Sequence, residues 1–371
     1  MNKVLILTQN LDTGGVQKSA VILANALSKD YQCTIVLLED DKSIKYQLEP
    51  LIALEIIPTM RVDIMSDGIG EKIFNYRLTA LQALTDRLSP DLIFSYEDYH
   101  NILSLRLISN AKRIVSCRIS IHNLYTQTAM IHRMPSEFYF EQIANLYPKA
   151  NAVVCVSHFV LDEIAAIAND AKVMTIYNGV DQQYIRAKII EPIVSEPPMI
   201  LHIGRLHPQK GQLDLLNAFS RIKNKILHRL VIIGDGILRE ELMNRAVSLG
   251  LEDRVDFLGS ICEPYQYMAR ADMVVIPSYQ EGFSNTVLEA MVCGGGVVAT
   301  RYNGHEEIIN DYGNVCDVGD IQGLSEIMVD FLLDISRLDE LKRNQFRDVG
   351  NFEMTKSIKE YKNLIVEVIH G

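Results

Sequence analysis

Residues 271–299, ADMVVIPSYQEGFSNTVLEAMVCGGGVVA, read as a strand, a loop, a helix and a second strand in close succession. That order leaves few folds open, because strands joined through one helix run parallel, and parallel strands lie buried beneath helices. Met273–Ile276 is an apolar run bounded by Asp272 and Pro277. Ser284 is placed to cap a helix whose apolar residues Val287, Leu288, Met291 and Val292 fall at helical spacing. The glycines at 294–296 end that helix, and Val297–Ala299 begin the next strand.

Two carboxylates belong to this unit, Glu281 in the loop and Glu289 in the helix. A capped surface helix with two solvated acids is one account of them. The other uses the backbone N–H groups around Phe283–Val287, which form an anion site where the helix begins. Glu281 and Glu289 then flank a phosphate, each accepting hydrogen bonds from hydroxyls on its own side. A sugar on one side and a ribose on the other describe a nucleotide-sugar.

With its Glu pair in this strand-loop-helix setting, the pattern PS..EGF.....LEAM..G..VVAT resembles the signature of the family 4 retaining glycosyltransferases. The resemblance implies an α/β chain of the GT-B type, with two Rossmann-like doubly wound domains facing across a cleft. It also implies that Glu281 meets the donor sugar and Glu289 the nucleotide ribose, with Ser284, Asn285 and Thr286 on the donor phosphates.

The rest of the chain fits alternating β and α patterns. Val4–Leu7 reads as a strand, and the loop 9–15 holds Gly14 and Gly15 before a helix over Val16–Ser28. The glycine pair is either a tight turn or a place where backbone approaches a ligand closely. In the resembled family such a pair faces the donor phosphates and lies beside the acceptor. Strands follow at Thr34–Leu38, Asp91–Ser95 and Arg113–Cys117, with a helix near Ile73–Leu88 and another opened by SYEDYHN at 95–101. Family members often carry a histidine just after the strand that ends here at Cys117. This chain departs from that pattern: Arg118 occupies the place and His122 follows. Either is a structural residue or an acceptor-side contact, and an arginine fork can hold a phosphate or acceptor oxygen. Residues 124–149 read as irregular helix with a mixture of aromatic, Met, His and Arg side chains that suits either a core or a membrane surface. Ala152–Val156 and Val173–Ile176 complete the strands of a first domain over 1–190, and Ser157 caps the helix between them.

The stretch 191–198, EPIVSEPP, reads as a linker, followed by a nucleotide-sugar-binding domain over 199–350 and a last helical segment, 351–371. In GT-B chains such a segment typically returns to the first domain. Strand Met199–Ile203 runs into GRLHPQKG, 204–211, which lacks the GK[ST] of a Walker loop. It supplies a glycine and two cations, Arg205 and Lys210, which in the resembled family hold the donor diphosphate. Leu230–Ile233, the GDG turn at 234–236, a helix over Ile237–Leu249, and strand Arg254–Leu258 continue the pattern. Backbone in GSICEPY, 259–265, meets the base in the resembled family. NGHEEII at 303–309 is similar to the family's G-x-P-E-I turn, with Glu306 in place of proline.

Composition excludes several classes. The net charge of −11 argues against nucleic acid as a partner. Residues 1–190 carry 18 basic and 20 acidic side chains, the remaining residues 18 and 27, so the first half is nearly neutral and the second acidic. No apolar run approaches the roughly 20 residues of a membrane span, and MNKVLILTQN reads as a first strand, not a signal peptide. Six cysteines without a CxxC pair read as free thiols of a cytoplasmic protein. The expected location is therefore cytoplasmic, with a peripheral contact at the inner face of the membrane as an addition to it.

The function the resemblance implies is transfer of a hexose-type sugar, with retention, from a nucleoside-diphosphate sugar to a hydroxyl of a glycan, lipid-linked or polymer acceptor, as in polysaccharide or glycoconjugate synthesis. Glu281, Arg205 and Lys210 are the expected catalytic set. Gly15, Ser284, Asn285, Thr286 and Glu289 bind the donor, and Gly14, Arg118 and His122 lie on the acceptor side. No Asp-x-Asp motif stands at a strand end, so no metal or other cofactor is expected. Two alternatives use the same fold: a nucleotide-sugar 2-epimerase, and a non-catalytic donor-binding partner of another glycosyltransferase.

Overall fold

The computed structural model describes residues 1–12, 14–39, 44–60, 68–121, 129–190 and 197–371. The expected contact His122 and most of the expected linker, 191–196, lie outside the described residues. By their internal contacts the residues form two units, Met1–Asn178 with Lys356–Gly371, and Gly179–Thr355.

The first unit contains, in chain order, β1 (Lys3–Thr8), α1 (Gly15–Leu27), β2 (Gln32–Leu37), β3 (Ala53–Ile56), α2 (Ile69–Leu88), β4 (Leu92–Tyr96), α3 (Asp98–Arg106), β5 (Lys112–Cys117), α4 (Ala129–His132), α5 (Ser136–Leu146), β6 (Ala152–Cys155), α6 (His158–Ile167) and β7 (Val173–Thr175). The sheet order is β3-β2-β1-β4-β5-β6-β7, all parallel. The order reverses between β1 and β4, which is where open α/β sheets leave a crevice beyond the strand ends. Strands such as LIFSY of β4 are buried along their whole length, as strands covered on both faces must be. Ser157 caps α6, its hydroxyl accepting from the Val160 amide at 3.2 Å. β3, whose side chains are at most half-buried, is an edge strand that the sequence pattern did not reveal.

Much of the aromatic content of 129–149 is taken up by this unit's core. Tyr139 and Tyr147 are fully buried, and Phe138 stacks edge-on against Phe74 at 5.5 Å. The membrane-surface alternative for these side chains is correspondingly weakened.

The second unit contains α7 (Gln182–Lys188), β8 (Met199–Ile203), α8 (Gln212–Ile222), β9 (Arg229–Ile233), α9 (Arg239–Ser248), β10 (Val255–Gly259), α10 (Tyr265–Arg270), β11 (Met273–Ile276), α11 (Asn285–Val292), β12 (Gly296–Thr300), β13 (Val315–Cys316), α12 (Ile321–Leu333) and α13 (Ile335–Asp348). Its sheet order is β10-β9-β8-β11-β12-β13, again parallel, with the reversal between β8 and β11. Asp181 caps α7 through the Tyr184 amide, and Asp320 caps α12 through Gly323. Leu215, Leu216, Phe219 and Ile222 of α8 pack with Ile200, Met273 and Val275 of the sheet. Each such fully buried aliphatic side chain contributes about 1.5–3 kcal/mol.

The final helix, α14 (Met354–His370), places Tyr361, Leu364, Ile365 and Val368 in the core of the first sheet. Tyr361 meets Phe94 edge-on at 5.7 Å, and Lys362 pairs with Asp30 at 2.6 Å.

Candidate active site

The second unit's sheet brings two loops together at its reversal point. β8 ends in Gly204–Gly211 and β11 ends in Pro277–Ser284, so segments about seventy residues apart in sequence become neighbours. Gly211 sits at their closest approach with φ +65°, and a Cβ there would lie 2.0 Å from the Pro277 carbonyl oxygen. Only glycine accommodates both conditions. The Tyr279 amide donates to the Gln209 carbonyl at 2.8 Å, and the Gln209 side-chain amide donates to the Gln280 carbonyl at 2.8 Å.

This seam joins two of the three expected catalytic residues. The Lys210 ammonium donates to both carboxylate oxygens of Glu281, at 2.6 and 2.7 Å. The Ser278 hydroxyl donates to Glu281 Oε1 at 2.7 Å, and the Thr300 hydroxyl donates to the Ser278 carbonyl at 2.5 Å. The Glu281 side chain is 10% exposed and that of Lys210 22%. Burying a carboxylate is costly unless it is paired, and this one has its cation.

Arg205, the third member, is exposed, and its guanidinium has no hydrogen-bond or carboxylate partner among the described residues. Its backbone is fixed nonetheless: the flanking Gly204 and Leu206 amides donate to Ile233 and Asp235, and a Cβ on Gly234 would fall 1.9 Å from the Gly204 carbonyl oxygen. Burial, followed by the charges of Arg205 and Lys210, holds the His207 pKa below its ordinary value. Arg205 and Lys210 thus place positive charge on this loop, within an acidic half-chain.

α11 begins beside this pair. Ser284 holds the N-cap position, but its side chain makes no capping hydrogen bond, contrary to the expectation from its residue type. The helix's first internal bonds run from the Val287 and Leu288 amides to the Ser284 carbonyl, so the amides of Ser284, Asn285 and Thr286 precede the internal ladder. Glu289 lies one turn on, half-buried. Arg205, Lys210, Glu281, Ser284, Asn285, Thr286 and Glu289 thus all stand on the second unit, on the loops and helix that follow β8 and β11.

The acceptor-side candidates stand on the first unit. Gly14 precedes α1; its amide donates to the Tyr46 hydroxyl, which donates back to the Gly14 carbonyl, both at 3.0 Å. Gly15, the first helical residue, is exposed. Arg118 is 7% exposed and turned inward: it donates to Ser19 Oγ and Asn178 Oδ1, each at 2.6 Å, and lies over the Tyr96 ring. One of its guanidinium nitrogens is thus held by the protein itself.

A polar group at the first sheet's reversal point was not singled out from sequence. Gln9 Nε2 donates to Glu39 Oε1 at 2.5 Å, and Gln9 Oε1 lies 3.0 Å from His100 Nε2. Asn10 donates to Glu39 Oε2 at 2.9 Å. Burial, aided by His132 and Arg77, holds His100 well below the usual histidine range, so its ring is neutral at pH 7. Glu97, beside it, takes a left-handed φ of 68°. SYEDYHN showed only a helix start; these residues meet because β1 neighbours β4.

The model of the family described as Glycosyltransferase Family 4 matches residues 13–184, and that of Glycosyl transferases group 1 matches residues 185–348. Among curated proteins, the chain is 27% identical over 343 residues to the N-acetylgalactosamine-N,N'-diacetylbacillosaminyl-diphospho-undecaprenol 4-alpha-N-acetylgalactosaminyltransferase of Campylobacter jejuni, covering 89% of this chain and 91% of that one. Among solved structures it is similar to the sucrose-phosphate synthase of Thermosynechococcus elongatus, with a TM-score of 0.84 and 18% identity over the whole of both chains. It is also similar to the Anabaena protein HepE in complex with UDP-glucose, with a TM-score of 0.79 and 19% identity over 98% of this chain and 99% of that one. The two structural likenesses establish the two-domain GT-B fold.

Proposed function

Because this chain belongs to the glycosyltransferases of Family 4, group 1, we propose that it moves a hexose-type sugar, with retention, from a nucleoside-diphosphate sugar to a hydroxyl of a glycan or lipid-linked acceptor. The observation that carries this is the Lys210–Glu281 pair at the reversal point of the second sheet, with Arg205 exposed on the same loop as Lys210. A lone surface loop has no need for a buried carboxylate held at both oxygens by one cation.

In the proposed reaction the bond from the anomeric carbon to the diphosphate oxygen breaks, and one to the acceptor oxygen forms on the same face. The acceptor's proton passes to the departing phosphate oxygen. Negative charge grows on the diphosphate, where Arg205 can fork two oxygens and Lys210 acts as a point charge. An ammonium has three hydrogens, so Lys210 can hold Glu281 and a phosphate oxygen together. The amides of Ser284–Thr286 add fixed dipoles at the same place. In this scheme no divalent ion takes part. Glu281, held by Lys210 and Ser278, orients sugar hydroxyls and does not attack carbon. Glu289 accepts from the ribose.

The acceptor is assigned to the first unit, near Gly14 and Gly15. Arg118, being buried, would act there through Ser19 and Asn178 instead of touching the acceptor. The undecaprenol-linked substrate in the Campylobacter relative's name favours a lipid-linked acceptor. Among the described residues no helix is long and apolar enough to cross a membrane, so such an acceptor would be met at a surface.

The test is a panel of UDP-, GDP- and ADP-hexoses with a disaccharide-diphospholipid acceptor, following nucleoside diphosphate release and the anomeric configuration of the product. Turnover with an α-donor giving an α-product is expected. An inverted product overturns the retaining assignment, and release of nucleoside diphosphate from no donor overturns the transfer.

A further inference from the structure

β8 and β11, the strands at the reversal of the second sheet, pair only through Ile200–Met273 and Leu201–Val274. Beyond that, β8 continues beside β9 and β11 beside β12, so the sheet opens between them. His202 stands in this opening, 1% exposed. Its Nδ1 lies 2.9 Å from the Val275 carbonyl oxygen of β11. A carbonyl only accepts, so Nδ1 carries the proton and Nε2 is left as a lone pair.

That lone pair faces the side-chain nitrogen of Gln212, at 3.2 Å. Gln212 is the first residue of α8 and is fully buried. The same nitrogen donates to the backbone carbonyl of Arg205 at 2.8 Å. Turning the amide over would set its oxygen against a lone pair and a carbonyl, so one orientation is selected. Both amide hydrogens are thereby used, while Oε1 has no partner among the described residues. The amide is present for its donors. Burial lowers the His202 pKa to about 4, which keeps the ring neutral and this tautomer in place at neutral pH.

The polar chain therefore runs from the β11 backbone through His202 and Gln212 to the carbonyl of Arg205. An apolar pair of the same volume would leave the carbonyls of Val275 and Arg205 without these donors. We propose that His202 and Gln212 are positioning residues of the donor site, which fix the opening between β8 and β11 and thereby aim the Arg205 side chain at the leaving diphosphate. This rests on the assignment of Arg205 to the diphosphate made above.

The test is a double-mutant cycle on kcat/KM for the nucleotide-sugar, with denaturant unfolding as a check on the fold. Gln212→Met keeps the volume and removes the donors. Gln212→Glu keeps the shape and, as a carboxylate, cannot donate to the Arg205 carbonyl. Each is expected to lower kcat/KM about tenfold or more in the wild-type background, since small misplacements of a charged group are costly. In the Arg205→Ala background the same changes should cost less than about twofold, because the group they position is gone. Equal losses in both backgrounds would show that Gln212 acts independently of Arg205 and would overturn the inference. A folded Gln212→Glu protein with wild-type turnover would show that shape alone matters there, which also overturns it. If Arg205→Ala itself is inert while turnover persists, the diphosphate assignment fails and the positioning role falls with it. Should Gln212→Met not fold, Gln212→Glu carries the same cycle.

Discussion

Replacing Lys210 by methionine separates the two tasks given to that side chain. The ammonium holds both Glu281 oxygens, at 2.6 and 2.7 Å, and its loss leaves the carboxylate with Ser278. Breaking a fully buried ion pair costs about 3–5 kcal/mol. Here the lysine is 22% exposed, so water reaches part of the pair and about 1–3 kcal/mol is expected. For a domain of this size that is a fall of roughly 2–12 °C in Tm. The catalytic cost is separate: losing one preorganised group at a developing charge costs about 10²–10³-fold in kcat. The double variant Lys210→Met/Glu281→Gln should recover most of the stability, because no charge remains to be buried unpaired, and none of the rate. Thermal unfolding and initial-rate assays on wild type, both single variants and the double variant provide the comparison. If rate returns along with stability in the double variant, Lys210 serves only to neutralise Glu281 and the leaving-group argument is wrong.

Arg205→Ala should leave the unfolding transition within about 0.5 kcal/mol of wild type, since the side chain is exposed, and lower turnover about 10²-fold; near-normal turnover removes it from the site. Glu289→Ala should weaken binding of free nucleoside diphosphate measured by calorimetry, whereas Glu281→Ala should leave that binding within a few-fold and lower sugar transfer; the reverse pattern would exchange their roles. Gly211→Ala should destabilise the second unit and lose donor binding together, because its Cβ would collide with the Pro277 carbonyl; an unaffected variant would show that the seam is not rigid. Asp98 is fully buried against Tyr147, and burial raises its pKa to about 6. With a folded pKa above the unfolded value, the folded state binds the extra proton between pH 3.8 and 6, so stability falls as pH rises through that window. Asp98→Asn should escape this loss, gaining on wild type by the order of 3 kcal/mol between pH 4 and 7; a pH-independent difference would contradict it.

The central strands of both sheets were legible because strands covered on both faces are largely apolar, as MVVI is throughout and LIFSY is except for Ser95. β3 was not: at the sheet edge none of its four residues is fully buried, which leaves no such run. The GRLHPQKG and PSYQEGF loops announced themselves by their glycines, cations and acid. Their union was less visible, since the contact between Lys210 and Glu281 depends on β8 lying beside β11, which is a property of sheet order. His202 and Gln212 carried no signal at all; a histidine within a strand and a glutamine at a helix start are ordinary letters until the sheet opens between them. Arg118 was left open by the sequence as a structural residue or an acceptor-side contact. Its side chain is buried on Ser19, Asn178 and Tyr96, contacts that depend on chain segments far apart in sequence. Ser284 has the residue type of a cap and the position of one, without the hydrogen bond.

The donor site proposed for the second unit needs no metal and is built on Arg205, Lys210, Glu281 and Glu289. It is tested most directly by calorimetric titration of UDP, GDP and ADP into wild type and into the Arg205→Ala and Glu289→Ala variants, all in EDTA. Saturable binding of one of these nucleotides, weakened at least tenfold in both variants, is the predicted result. Binding that requires added divalent ion, or that is the same in wild type and in both variants, would contradict the claim.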